Sequence, residues 1–249
     1  MTMLEHLERI TSTSSIEELW KLHTEVMDGY GFDRLIYGFT RFRTAHSFGN
    51  REDFLILTNH EPDYVEGFVN DGLYFHAPMV RWAAENTGSC SWRWMEESAD
   101  ALTESERKVV AFNRSMGVTA GYSISFKDAS VRSKGAIALT GRRGLTQDDL
   151  DAVWAEHGRE IVVMNTVAHL KILNLPYKVS GRQLTRRQKE ALEWVGDGKT
   201  TQDIATIMGL TTATVEKHLR LAREALDVDT TAQAVLKASF QNQIFVFET

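Results

Sequence analysis

Thr212, Thr214, Lys217, His218 and Arg220 fall within nine residues of one another, and their chemistry is that of a nucleic-acid contact surface. Hydroxyls bond phosphate oxygens or base edges. An ammonium neutralises phosphate, and a guanidinium reaches phosphate or the two acceptors of guanine. Helical spacing puts Val215, Leu219, Ala222 and Leu226 on one apolar stripe and turns the polar set outward. Such a helix needs a rigid support. Thr200 or Thr201 can cap a preceding helix with Ile204, Ala205 and Met208 inward, and Gly209-Leu210-Thr211 makes a tight connection. A first helix over Thr185–Val195 completes the module. The helix over 212–226 then stands clear of the core and can enter a major groove. On pattern alone, the alternative is a small helical protein-binding domain with solvated charges.

Composition narrows the class. The chain has 249 residues, enough for two domains, and is 43% hydrophobic. No apolar run approaches the roughly 18 residues of a membrane span. The first residues do not read as a secretion signal, and Cys90 is the single cysteine, so a cytoplasmic location is the expectation. The net charge is -6, and residues 182–226 carry eight Lys/Arg against six Asp/Glu. Specific DNA binding would rest on a few well-placed basic groups doubled by dimerisation. Catalysis is not expected. Cys90 has no linked base and reads as a structural residue. His76, His157 and His169 form no metal motif, so neither metal nor cofactor is called for. Gly141-Arg142-Arg143-Gly144 reads as a solvated turn.

The elements upstream alternate. Helices are predicted over Ile16–Met27, Pro62–Asn70, Pro78–Glu85, Leu102–Met116 and Thr146–Leu175, and strands over Leu35–Phe42, Phe54–Leu57, Val118–Phe126 and Ala136–Thr140. Thr103 with Glu106 makes a capping box. The fold class is α+β: an N-terminal α/β/α sandwich with an antiparallel central sheet, then an all-α four-helix helix-turn-helix domain. Residues 1–174 form the first domain, 175–182 a short linker and 183–249 the second domain with its tail. Ile244-Phe245-Val246-Phe247 can pack back as a strand or cover another subunit.

Leu184-Thr185, Arg187, Glu190, Leu192, Gly198-Lys199-Thr200, Ile204-Ala205, Thr214-Val215, His218 and Gln233-Ala234-Val235 resemble the C-terminal module of LuxR-type transcription regulators. The resemblance implies double-stranded DNA as partner and Thr200, Thr212, Thr214, Lys217, His218 and Arg220 as contact residues. Three places depart from it: Gln188 for a common Glu, Ala225-Leu226-Asp227 for Lys-Leu-Gly, and Thr230-Thr231 for Asn-Arg.

Asn59, Pro78, Trp92 and Gly121 align the N-terminal region with the autoinducer-binding domain of quorum-sensing LuxR-type regulators, which it resembles. The resemblance implies ligand contacts at His60, Tyr64, Phe68, Ala77, Trp92 and Gly121. Trp92 and Gly121 keep the family residue. His60 stands for a tyrosine, Tyr64 for a tryptophan, Phe68 for a tyrosine, and Ala77 for the aspartate that accepts the ligand amide N–H. A methyl group accepts nothing. Three readings stay open: a different small molecule; a ligand-independent fold filled by Phe68, Tyr74, Phe75 and Trp92; or retained acyl-homoserine lactone binding through compensating contacts. The expected assembly is a homodimer, or a heterodimer with a related regulator acting as an antiactivator.

Overall fold

Threonines start many of the helices. In the computed structural model, which describes residues 2–44, 48–49, 53–128, 130–176 and 184–245, Thr2, Thr103, Thr146, Thr185, Thr200 and Thr230 each accept from the backbone N–H three residues on. The residue at that third position accepts in return from the threonine N–H. Each reciprocal pair satisfies two N–H groups that the helix itself leaves unpaired. The chain divides into two units, 1–173 and 174–249.

The first unit runs α1 (Met3–Ser12), α2 (Ile16–Gly29), β1 (Phe32–Thr40), β2 (Leu55–Thr58), α3 (Pro62–Val65), a π-helical turn (Glu66–Asn70), a 3-10 turn (Leu73–His76), α4 (Pro78–Glu85), β3 (Gly88–Ser91), α5 (Arg93–Glu97), α6 (Glu104–Ser115), β4 (Gly121–Ser125), β5 (Lys134–Gly141) and α7 (Gln147–Ile172). The strands make one antiparallel sheet in the order β2-β1-β5-β4-β3. The α/β/α sandwich expected from the sequence is the observed architecture.

Alternation sorts the strand residues between two faces. Leu35, Tyr37, Phe39, Ile137 and Leu139 are buried. The Tyr37 hydroxyl lies 2.9 Å from His169 Nδ1 on α7, and Tyr122 stacks on Trp154 of α7 with ring centroids 3.8 Å apart. That face is closed. The other carries Ile36, Gly38, Ser123, Ala136 and Ala138, with Gly38 opposite Ala136, Ile36 opposite Ala138 and Ser123 opposite Ala138. Apart from Ile36 these side chains are too small to reach the helices above them, so the sequence leaves volume on this side.

Three elements escaped the sequence reading. α1 buries His6 and Ile10; its signals were the Thr2…Glu5 box and the short stripe of Met3, Leu7 and Ile10 at helical spacing. β3 is Gly-Ser-Cys-Ser, without β-branched residues, and exists by pairing with β4. α5 is five residues long and buries none of them. The helix expected over Pro62–Asn70 widens after Val65 into its π-helical turn, where Gly67 lies against the Phe112 ring.

The second unit holds α8 (Arg186–Gly196), α9 (Thr201–Met208), α10 (Thr212–Leu226) and α11 (Thr231–Phe240), the four helices expected. Val215, Leu219, Ala222 and Leu226 of α10 are buried. Each of the three larger side chains contributes roughly 1.5–3 kcal/mol to fixing the helix. The tail does not form a strand among its described residues. Ile244 is 2% exposed in the core of this unit, and the Phe245 N–H donates to Glu193 Oε1 at 3.0 Å. Val246, Phe247 and most of the linker, from residue 177 on, lie outside the described residues.

Candidate ligand cavity and nucleic-acid interface

The open face of the sheet bounds a cavity of about 710 Å³, roofed by the segments from α3 to α6. That size falls in the range of roughly 300–1,000 Å³ usual for small-molecule sites. Its floor is Ile36, Gly38, Ser123, Ala136 and Ala138; Phe54, Ile56, Phe68, Val69, Met79 and Val80 add an apolar wall. Among its described lining residues Glu96, exposed on α5, is the one carboxylate.

Tyr64, Phe68, Ala77 and Trp92 all line this space. Tyr64 and Phe68 stack at 5.1 Å, and the Tyr64 hydroxyl donates to Asn113 Oδ1 at 3.2 Å. Burial raises the Tyr64 hydroxyl pKa, so it keeps its proton. Trp92 Nε1 donates to Ser123 Oγ at 3.0 Å. Ala77 is 4% exposed and precedes α4 at a position with no side-chain cap. The other two residues stand back. His60 stacks on Tyr64 at 4.3 Å outside the lining, with Nε2 3.4 Å from Thr140 Oγ1. Burial first, then Arg34, lowers its pKa to about 4. Gly121 lies under Trp92, also outside the lining: a Cβ there would come 3.0 Å from the indole and 2.3 Å from the Leu139 carbonyl oxygen. Of the aromatics considered as pocket filling, Phe75 is 51% exposed and does not enter the cavity.

A polar cluster beyond Trp92 went unseen in the sequence. Asp151 of α7 accepts from Tyr122 Oη at 2.6 Å, Gln147 Nε2 at 2.8 Å, Ser91 Oγ at 2.9 Å and Arg93 Nε at 2.9 Å. Burial raises its pKa, but these four bonds outweigh burial and bring it down to about 2. Gln147 also accepts from the Gly121 N–H at 3.0 Å. The cluster thereby ties the Trp92 segment to α7. Its members come from four separate segments, and no local spacing signals their meeting.

Cys90 is half-buried on the edge strand β3 rather than fully buried, and burial, then Glu97, raises its thiol pKa, the opposite of an activated nucleophile. Arg142 and Arg143 pair with Asp28 and Glu61 on an exposed turn.

In the second unit Gly209 takes a left-handed conformation, φ 66°, and ends α9; Thr211 then caps α10. Thr212, Lys217 and Arg220 are exposed on α10, while Thr214 and His218 are half-buried beside them. Arg220 pairs with Glu224 one turn on, whereas Lys217 has no ion-pair partner among the described residues. Thr200 is exposed, but its hydroxyl is committed to Asp203 in the α9 cap. The departures in this module have local uses. Gln188 accepts the Thr185 N–H at 2.8 Å, Asp227 holds the left-handed position after α10, φ 53°, and Thr231 Oγ1 accepts from Arg223 at 2.9 Å.

Comparison with known proteins places both units. Residues 15–172 match the family described as "Autoinducer binding domain", and residues 182–238 match "Bacterial regulatory proteins, luxR family". The chain is 24% identical over 190 residues to the transcriptional activator protein LuxR of Aliivibrio fischeri, covering 76% of this chain and 74% of that protein. It is 28% identical over 187 residues to the HTH-type quorum sensing-dependent transcriptional regulator RpaR of Rhodopseudomonas palustris, covering 74% and 73%. Among solved structures, SdiA in complex with octanoyl-rac-glycerol matches with TM-score 0.53 and 16% identity over 99% of this chain and 96% of that one. The N-acylhomoserine lactone dependent factor CepR2 of Burkholderia cenocepacia matches with TM-score 0.54 and 18% identity over 68% and 93%. The chain belongs to the luxR family of bacterial regulatory proteins: it is a DNA-binding transcription regulator, not an enzyme, with an autoinducer binding domain ahead of its helix-turn-helix unit.

Proposed function

We propose that this regulator works as a dimer in the cytoplasm and that its cavity takes a neutral acyl-chain amphiphile whose polar head offers hydrogen-bond acceptors, in place of an acyl-homoserine lactone held in the usual pose. One observation carries the reading. A cavity of about 710 Å³ stays open at Ala77, where a methyl group stands in place of the carboxylate that an amide N–H requires. The open volume favours a ligand over a core filled by its own side chains. An unpaired buried N–H costs roughly 1–3 kcal/mol, about 5- to 150-fold in affinity. The SdiA relative is seen with octanoyl-rac-glycerol, an acyl ester with no N–H on its head, which makes that compound the natural first probe.

On DNA, Lys217 and Arg220 supply the charge, with Thr212, Thr214 and His218 at the groove and Thr200 at its edge. A two-fold dimer doubles this modest set across paired half-sites. The test is Ala77→Asp in the full-length chain, with reporter activation and direct binding read across an acyl-homoserine lactone panel. The variant is expected to gain at least about fivefold in lactone affinity over the wild type. Equal, tight lactone binding by both proteins would defeat the proposal.

A further inference from the structure

Two aromatic donors among the residues lining the cavity, the Trp92 indole and the Tyr64 phenol, are already spent inside the protein. Trp92 Nε1 donates to Ser123 Oγ at 3.0 Å, and the Tyr64 hydroxyl donates to Asn113 Oδ1 at 3.2 Å. Each bond hands the donor role one residue on. Ser123 accepts, so its own proton must point elsewhere; the side chain is 3% exposed, and that proton meets no acceptor among the described residues. The amide N–H groups of Asn113 likewise donate to no described residue. Both side chains belong to cavity-lining residues. Strand alternation sets the direction of Ser123, since Tyr122 beside it stacks on Trp154 on the opposite face of the sheet.

We infer that Ser123 and Asn113, rather than Trp92 and Tyr64, donate the hydrogen bonds that select the ligand, and that the pair selects an ester or ketone head over its amide counterpart. The inference rests on the reading of the cavity as an acyl-amphiphile site. A carbonyl oxygen placed between the two residues satisfies a buried hydroxyl proton and an amide N–H together. An amide ligand brings a further donor to a place where Ser123 Oγ already takes the Trp92 N–H, Asn113 Oδ1 already takes the Tyr64 hydroxyl and Ala77 adds no acceptor, so its N–H meets only the second lone pair of an oxygen that is already bonded.

The experiment uses the full-length protein and two probes, octanoyl-rac-glycerol and the amide formed when its ester oxygen is replaced by N–H. Affinities are read by calorimetry for the wild type, Asn113→Asp and Ser123→Ala, with thermal melting as the control for folding. Asn113→Asp keeps the acceptor for Tyr64, removes the amide donors and adds an acceptor. The wild type is expected to favour the ester, and Asn113→Asp to favour the amide. Ser123→Ala is expected to lose about 5- to 150-fold in ester affinity. A reversal of preference is a signature that a merely structural role for Asn113 would not produce. If both probes bind all three proteins alike, the inference falls while the cavity remains an acyl site. If neither probe binds the wild type at millimolar concentration, the reading of the cavity falls, and the inference with it.

Discussion

Gly38 gives a sign test of whether the cavity is real. It sits mid-strand in β1, on the floor, and a Cβ built there meets no heavy atom within 4 Å. Gly38→Val puts a residue at home in strands into that space. Burying a valine side chain is worth about 1.5–3 kcal/mol, and removing a strand glycine adds about 0.5–1 kcal/mol. The cavity is not sealed, and extended-chain reference areas overstate burial, so about 1–3 kcal/mol of net stabilisation is expected. For a unit of this size each kcal/mol moves the melting temperature by about 2–4 °C, so Gly38→Val should melt about 2–12 °C above the wild type. The assay is thermal unfolding of protein refolded from denaturant, which removes any retained small molecule. Ligand affinity should fall at the same time, because the valine occupies ligand volume. If side chains filled the site instead, the same substitution would overpack it and cost about 1–3 kcal/mol. A lower melting temperature for Gly38→Val would therefore refute the open cavity and the ligand reading built on it.

Four other perturbations test other parts of the molecule. His6 Nε2 and His23 Nδ1 lie 3.2 Å apart in the α1–α2–α7 core, and burial lowers both pKa values from 6.5 to about 4. Between those limits the unfolded chain binds more protons, so stability is full above about pH 6.5 and falls toward pH 4, by up to about 1.4 kcal/mol per pH unit for each histidine. Urea unfolding at pH 7 and pH 5 should show a smaller loss for the His6→Asn, His23→Gln double variant, with His60 supplying part of the remainder; an unchanged loss refutes the assignment. Asp151→Ala leaves Tyr122, Arg93, Ser91 and Gln147 without their common acceptor. It should cost about 2–4 kcal/mol by denaturant unfolding, and a loss below about 0.5 kcal/mol would show that the cluster holds nothing together. On DNA, Lys217→Ala should weaken binding across sequences and reduce the log–log salt slope by about 0.9 per module. Glu224→Gln should tighten binding by releasing Arg220. Fluorescence anisotropy across a salt series reads both, and unaltered slopes would remove α10 from the DNA interface.

The helix-turn-helix unit was the more legible half. Its elements are local: the Thr200 cap, Gly209 at the turn and the Val215–Leu226 stripe all lie within single helices or tight connections. The antiparallel sheet between helical layers was legible too, although its edge strand β3, Gly-Ser-Cys-Ser, carries no apolar alternation to show, and the short stripe of Met3, Leu7 and Ile10 that marks α1 was passed over. The carboxylate missing at Ala77 was visible as soon as the family resemblance gave that position a role. The sequence by itself thus determined the antiparallel sheet among helices, the helix-turn-helix unit and the absence of a carboxylate at Ala77. Only the tertiary structure decided that His60 and Gly121 stand behind the cavity wall rather than on it. It also decided that Trp92 and Tyr64 spend their donors on Ser123 and Asn113, 31 and 49 residues away. The physical reason is that hydrogen-bond capacity is consumed through space. Spacing along the chain shows which groups exist, and only the packed sheet and helices show which are already satisfied.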